Sequence, residues 1–263
     1  MFKFSNSSKI LSVLVLSLLF GRPAIARESL ADREVKALVL RDFLLTLDLG
    51  YLRCAERCDW LQEDKKIKEA WAKLKPLIPQ RPKLDALFSA KPSLEVWRQY
   101  RKVLEEEISL NLAPSSSLNK ARGEALFLRH CGSCHGPTGQ SDGILSSRLN
   151  SPLRALNSAF YRDYLAPAMV YNIILTGIPK TPMYPFKDQI SDLDMWTLAF
   201  YTLTLSAGEP SAIENGTESK PAGTLEMKDA ARLNGIELKA VGVTQKQSFR
   251  LRTTEVFGKE VAK

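Results

Sequence analysis

The chain has only two histidines and four cysteines in 263 residues. A closed structural zinc site needs four ligands. Cys54 and Cys58 lie far upstream of Cys131 and Cys134 and at a different spacing, so such a site assembles poorly from these residues. No run of apolar residues reaches the roughly 20 needed to span a bilayer, and none of the expected mature chain reads as an integral membrane span. There is no glycine pattern for nucleotide binding, which argues against a flavin or nicotinamide enzyme. No basic run is interleaved with aromatics, so nucleic acid is not an expected partner despite a formal net charge of +8. No internal repeat is visible, which excludes solenoids and propellers.

What is present reads as a globular protein. Hydrophobic residues make up 44% and charged residues 25%, enough for one or two domains with a real core. The first residues carry Lys3 and Lys9, an apolar run from Ile10 to Phe20, and then Ala24-Ile25-Ala26. This is the pattern of an export signal with a small-residue cleavage site, so residues 1–26 are expected to be a signal peptide. The mature chain would begin near Arg27, outside the cytoplasm, with the periplasm as its expected location. Setting aside Lys3, Lys9 and Arg22 leaves a balance of only +5, too mild to define a partner.

The spacing along the chain predicts helices throughout and an all-α fold. Ser29-x-x-Asp32 resembles a capping box ahead of Val35, Leu38, Val39, Phe43 and Leu47. A second helix is expected from about Glu63 to Leu74, stopping near Pro76 and Pro79. A third is expected after Pro92-Ser93, with Leu94, Trp97, Leu104 and Ile108 on one face. "APSSSL" at 113–118 reads as a linker. Asn119 to Arg129 then reads as a helix with Gly123, Leu126 and Phe127 on one side. Pro167 suits a helix first turn that Gly177 would close. Ser191-x-x-Asp194 caps a last strong helix carrying Trp196, Phe200 and Leu203. Residues 208–223 read as a polar linker, and 224–263 as one helix with a weakly apolar, basic end.

The chemistry concentrates in "LRHCGSCHGPTGQSDG", residues 128–143. A redox dithiol at Cys131 and Cys134 would sit at a helix start beside a strand, and no strand of that kind precedes the pair. The C-x-x-C-H spacing places two thiols so that each can add to one vinyl group of haem, with His135 reaching the iron from the same side. Export fits covalent haem attachment; a structural disulfide followed by an unrelated histidine is the alternative. One attached haem asks for a sixth ligand. His130 adjoins Cys131 and belongs to the His135 side. Met169 and Met195 lie inside predicted helices, and Met227 lies beyond the polar linker. Met183 stands in the proline-rich loop "IPKTPMYPF", where Pro182 and Pro185 would stiffen the backbone, and it is the candidate sulfur ligand.

These residues resemble a class I cytochrome c domain, through "GEALFLRHCGSCHGPTGQSDG", "PAMVYNIILTGI", "PKTPMYPF" and "SDLDMWTLAFYTLTL". The resemblance implies an all-helical fold around one covalently attached haem c. It implies a close crossing of the first and last helices, at Gly123 and Phe127 against Leu198 and Tyr201. A narrower resemblance is to the cytochrome c segment fused ahead of the membrane part of some bacterial high-affinity iron permeases. It covers about residues 119–256, including "GTLEMKDAARLNGIELKAVGV". These residues hold neither the Arg-Glu-x-x-Glu motif of those permeases nor their membrane helices, so a separate cytochrome partner is expected and not the transporter itself. The expected organisation is a signal peptide over 1–26, a helical domain over 27–112, a cytochrome c domain over 113–206, and a linker with tail over 207–263.

Cys54 and Cys58, four apart in a helical stretch, are within disulfide range near its wide end. Asp59, not histidine, follows Cys58, so a second attached haem is not expected in the usual form. Trp60, Trp71 and Trp97 read as core or interface aromatics. The functional reading is an exported monohaem electron carrier with a redox protein partner, an iron permease or a terminal oxidase. A haem peroxidase or a haem subunit of a dehydrogenase, which need an open iron position or a second cofactor, and a haem-based sensor, in which a gas or partner would displace Met183, are the alternatives.

Overall fold

The computed structural model describes residues 30–57, 60–78, 82–88, 96, 99–100, 102–104, 113–150, 152–206, 227–243, 248, 251 and 256–257. The expected signal peptide, the Ser29 cap, most of the helix after Pro92-Ser93, the 208–223 linker, the Cys54–Cys58 pairing and the settings of Trp60 and Trp97 lie outside the described residues or side chains. By its internal contacts the chain forms two units, Met1–Leu38 and Val39–Lys263. Among the described residues every regular element is helical.

The N-terminal helices are α1 (Leu30–Arg57), α2 (Trp60–Leu74) and α3 (Pro82–Phe88). α2 ends where the prolines require, passing into a 3-10 turn, Lys75–Leu77, that contains Pro76. From Leu40 onward α1 turns Leu40, Phe43, Leu44, Leu47 and Tyr51 inward, the helical spacing of an apolar stripe. They join Ile67, Ala70, Trp71 and Leu74 of α2, with Tyr100 and Leu104, in one hydrophobic core. Phe43 and Trp71 meet there with ring centroids 5.7 Å apart. α3, which opens on Pro82, is not among the helices expected from the sequence.

A second core is built by α4 (Lys120–His130), α6 (Ala159–Tyr164), α7 (Pro167–Thr176) and α8 (Asp192–Leu205), with the single turn α5 (Gly132–His135) following α4 directly. Asn119 caps α4, its side chain accepting from Arg122 N–H at 2.8 Å, and Ser191 caps α8, accepting from Asp194 N–H at 3.1 Å. α4 and α8 pack closely, as the resemblance implied. A Cβ on Gly123 would lie 2.8 Å from Tyr201 Cβ and 3.3 Å from Thr197 Cγ2, so glycine is required for this approach. Phe127 and Tyr201 fill the space beside it, with centroids 5.7 Å apart. At the start of the same two helices Arg122 makes a two-pronged ion pair with Asp194, Nε to Oδ1 at 3.1 Å and Nη2 to Oδ2 at 2.9 Å.

α7 carries Pro167 in its first turn and Gly177 as its C-cap, as the sequence predicts. Its Tyr171 stacks on Trp196 of α8 at 4.2 Å and 15°, and its hydroxyl donates to Asp192. Two α7 features face the N-terminal core instead. Ala166 and Met169 are buried within that core, and Arg41 of α1 lies over the Tyr171 ring at 5.2 Å.

Residues 227–243 differ from expectation. Two short helices, α9 (Met227–Arg232) and α10 (Gly235–Ala240), replace the single one predicted. Ala230, Ala231, Leu238 and Val243 are buried in the second core, together with Leu251 and Val256. Asn234, 1% exposed, is the joint between α9 and α10. Its side chain accepts from Glu237 N–H while Glu237 accepts from Asn234 N–H, a reciprocal cap. Its amide also donates to the Tyr51 hydroxyl at 3.2 Å and to Tyr164 O at 3.5 Å.

Candidate haem-binding site

Cys131, Cys134 and His135 lie on a single helical turn. Cys134 N–H and His135 N–H both donate to Cys131 O, at 3.1 and 2.9 Å. Side chains three and four positions apart share one face of such a turn, which brings both thiols and the imidazole to one side. Both cysteines are free thiols. Burial, and then the nearby Cys134, push the Cys131 thiol up to about 12. Burial lowers the pKa of His135, keeping its imidazole neutral, the form that ligates a metal. Its Nδ1 is buried and has no hydrogen-bond partner.

The loop that follows wraps back over this turn. Ser141 N–H donates to His135 O at 2.8 Å and Leu145 N–H to Ser133 O at 2.9 Å. Ser141 takes a left-handed backbone, φ 62°, to do so. The segment is thus held by main-chain bonds, which accounts for its lack of apolar periodicity.

Met183 sits between α7 and α8, half-buried against the core that also receives Cys131. Its loop reaches the end of α4, next to the C-x-x-C-H turn, through Phe186, whose ring meets that of His130 edge-on at 5.7 Å. The other described methionines have other surroundings. Met169 is 1% exposed, lies in the N-terminal core, and its sulfur accepts from Ala166 N–H at 3.5 Å. Met195 is buried within α8 in the second core, and Met227 packs against that core from α9. The structure brings the Met183 loop beside the cysteine turn through Phe186 and His130, whereas no such packing can be read from the sequence. Nor does the sequence reveal how the Met183 backbone is held, which depends on Gly177, Ile178 and Thr181.

Two free thiols and a neutral, partly buried imidazole on one face suit covalent attachment of a porphyrin, and the thioether of Met183, packed against the same core as Cys131, supplies a further soft donor. The fold and this turn define the class: residues 118–201 form a class I cytochrome c domain, which carries covalently bound haem c and transfers electrons to a redox partner. The same residues match the family of cytochrome c oxidase, cbb3-type, subunit III, over about a third of the chain. Neither a curated protein nor a solved structure matches the chain. Among the described residues no helix is long and apolar enough to cross a membrane, and no group of His, Cys, Asp and Glu forms a separate metal cluster.

Proposed function

We propose that the chain is an exported, periplasmic single-haem electron carrier, with Cys131 and Cys134 as the thioether anchors and His135 and Met183 as the axial ligands. The observation that carries this reading is the shared face of Cys131, Cys134 and His135, with the His135 Nδ1 buried and unpartnered. Haem c bound there supplies a one-electron ferrous–ferric couple. The protein's own residues fix the geometry around it. His135 offers a neutral nitrogen because burial disfavours its protonation. The loops on either side are pinned by main-chain hydrogen bonds, so both ligands would stay in place through a redox cycle.

The reading is tested by the optical spectrum of the purified ferric protein. A low-spin spectrum with a near-infrared sulfur-to-iron band, and a reversible one-electron titration, are expected. A high-spin ferric spectrum would instead point to the peroxidase or sensor alternatives.

For the partner, the words shared with the cytochrome segment of iron permeases support a membrane iron permease that passes electrons from ferrous iron to this haem. The shared stretch includes α9 and α10, and their apolar residues are buried against the cytochrome core. A terminal oxidase is the second reading, favoured by the description of the family that residues 118–201 match. Deletion of the protein is expected to abolish ferrous iron uptake and leave oxidase-linked respiration intact; the reverse outcome assigns the oxidase.

A further inference from the structure

A methionine sulfur is only as well placed as the main chain that carries it. The main chain of Met183 is closed into a small ring with Ile178 and Thr181. Ile178 N–H donates to Met183 O at 2.9 Å. Met183 N–H donates to Thr181 Oγ1 at 3.1 Å. The Thr181 hydroxyl donates in turn to Ile178 O at 2.8 Å, and Thr181 N–H reaches the same carbonyl at 3.2 Å. One hydroxyl therefore serves as donor to the start of the loop and acceptor from its ligand-bearing residue. Lys180, with φ 65°, provides the tight reversal between them.

Gly177 forms the floor of the ring. With φ 68° it favours glycine, and a Cβ there would lie 2.5 Å from Met183 O and 2.8 Å from both Pro185 N and Tyr184 C. All three are backbone atoms and have little freedom to give way. The far side of the loop is fixed to α7 by Phe186 N–H donating to Ile174 O at 3.0 Å.

We propose that Thr181 and Gly177 are positioning residues for Met183, setting how firmly its thioether holds the iron. The proposal rests on the reading of Met183 as ligand. Thr181 is exposed, so its role is carried by the hydroxyl and not by packing. A hydroxyl-free isostere removes the link to Met183 N–H but leaves the bond between Ile178 and Met183 O. The effect of that change is therefore graded, whereas a methyl on Gly177 pushes the backbone itself.

The test uses the ferric holoprotein titrated with imidazole, following the near-infrared sulfur-to-iron band. Thr181→Val is expected to lose the band at an imidazole concentration about threefold to tenfold lower than the parent, the worth of one ordinary hydrogen bond. Thr181→Ser should titrate like the parent. Gly177→Ala should lack the band before any imidazole is added, with the haem still covalently attached. If Gly177→Ala does not fold, the two Thr181 variants decide the matter. Thr181→Val titrating like the parent overturns the proposal, and so does Thr181→Ser behaving like Thr181→Val. Met183→Ala separates the two levels. If it retains the band, the ligand assignment fails and the proposal fails with it. If it loses the band while Thr181→Val titrates like the parent, only the positioning role is overturned.

Discussion

Gly123 lies so close under Tyr201 that a methyl group on the glycine would sit 2.8 Å from the tyrosine Cβ. This contact sets the distance between α4 and α8, and so the position of α5, which follows α4 directly. Gly123→Ala is expected to destabilise the holoprotein by about 1–3 kcal/mol, as overpacking of a tight helix crossing does. Denaturant unfolding measures this, and a variant as stable as the parent would show that the helices separate at little cost.

Asn234 predicts a cost of similar size from a different cause. Its side chain caps α10 and donates to Tyr51 and Tyr164 while almost fully buried. Asn234→Ala removes the cap and leaves the Tyr164 carbonyl without that donor. A loss of about 1–3 kcal/mol follows. Equilibrium unfolding of parent and variant is the check, and a difference near zero would contradict the bonding described.

The Arg122–Asp194 pair gives a pH dependence. Hydrogen bonding to Arg122 holds the Asp194 carboxyl below its ordinary value, and burial opposes this only in part. A carboxyl depressed in the folded state stabilises above its unfolded pKa, and that contribution is lost as pH falls through its folded value. Asp194→Asn should therefore be less stable than the parent near neutrality, and the gap should close in acid below the ordinary aspartate range. The Arg122 side chain is 56% exposed, so the gap at neutrality should be small and should shrink further with salt. A gap that widens in acid would contradict the pairing.

The methionines divide by environment. Met169 is enclosed in the N-terminal core, whereas Met183 sits beside the cysteine turn through Phe186 and His130. Met169→Leu should keep the near-infrared band and lose less than about 1.5 kcal/mol of stability, as near-isosteric core exchanges do. Met183→Leu should lose the band. The opposite pairing of results would reassign the sulfur ligand.

How much of this was legible in the sequence depends on whether the signal was local. Pro167, Gly177, Ser191 and the C-x-x-C-H run act within one or two helical turns, and each lies where the sequence places it. Gly123 and Tyr201 were readable only through resemblance, because their contact joins residues far apart in the chain. α9 and α10 are each six residues long, too short to show apolar periodicity, so their burial through Ala230, Ala231 and Leu238 is hidden. Asn234 reads as a surface residue by type, and only the fold reveals it as buried. Thr181 stands one residue before Pro182 in a loop without periodicity, and its double hydrogen bond depends on the reversal at Lys180.

On the proposed reading, haem is joined to this polypeptide through Cys131 and Cys134. Intact-mass measurement of the purified, export-matured protein under denaturing conditions tests it most directly. One species is expected, heavier than the bare chain by one haem, and with both cysteines replaced by alanine only the bare mass of that variant should remain. A bare-chain mass for the parent, with the pigment extracted by acidified acetone, would contradict it.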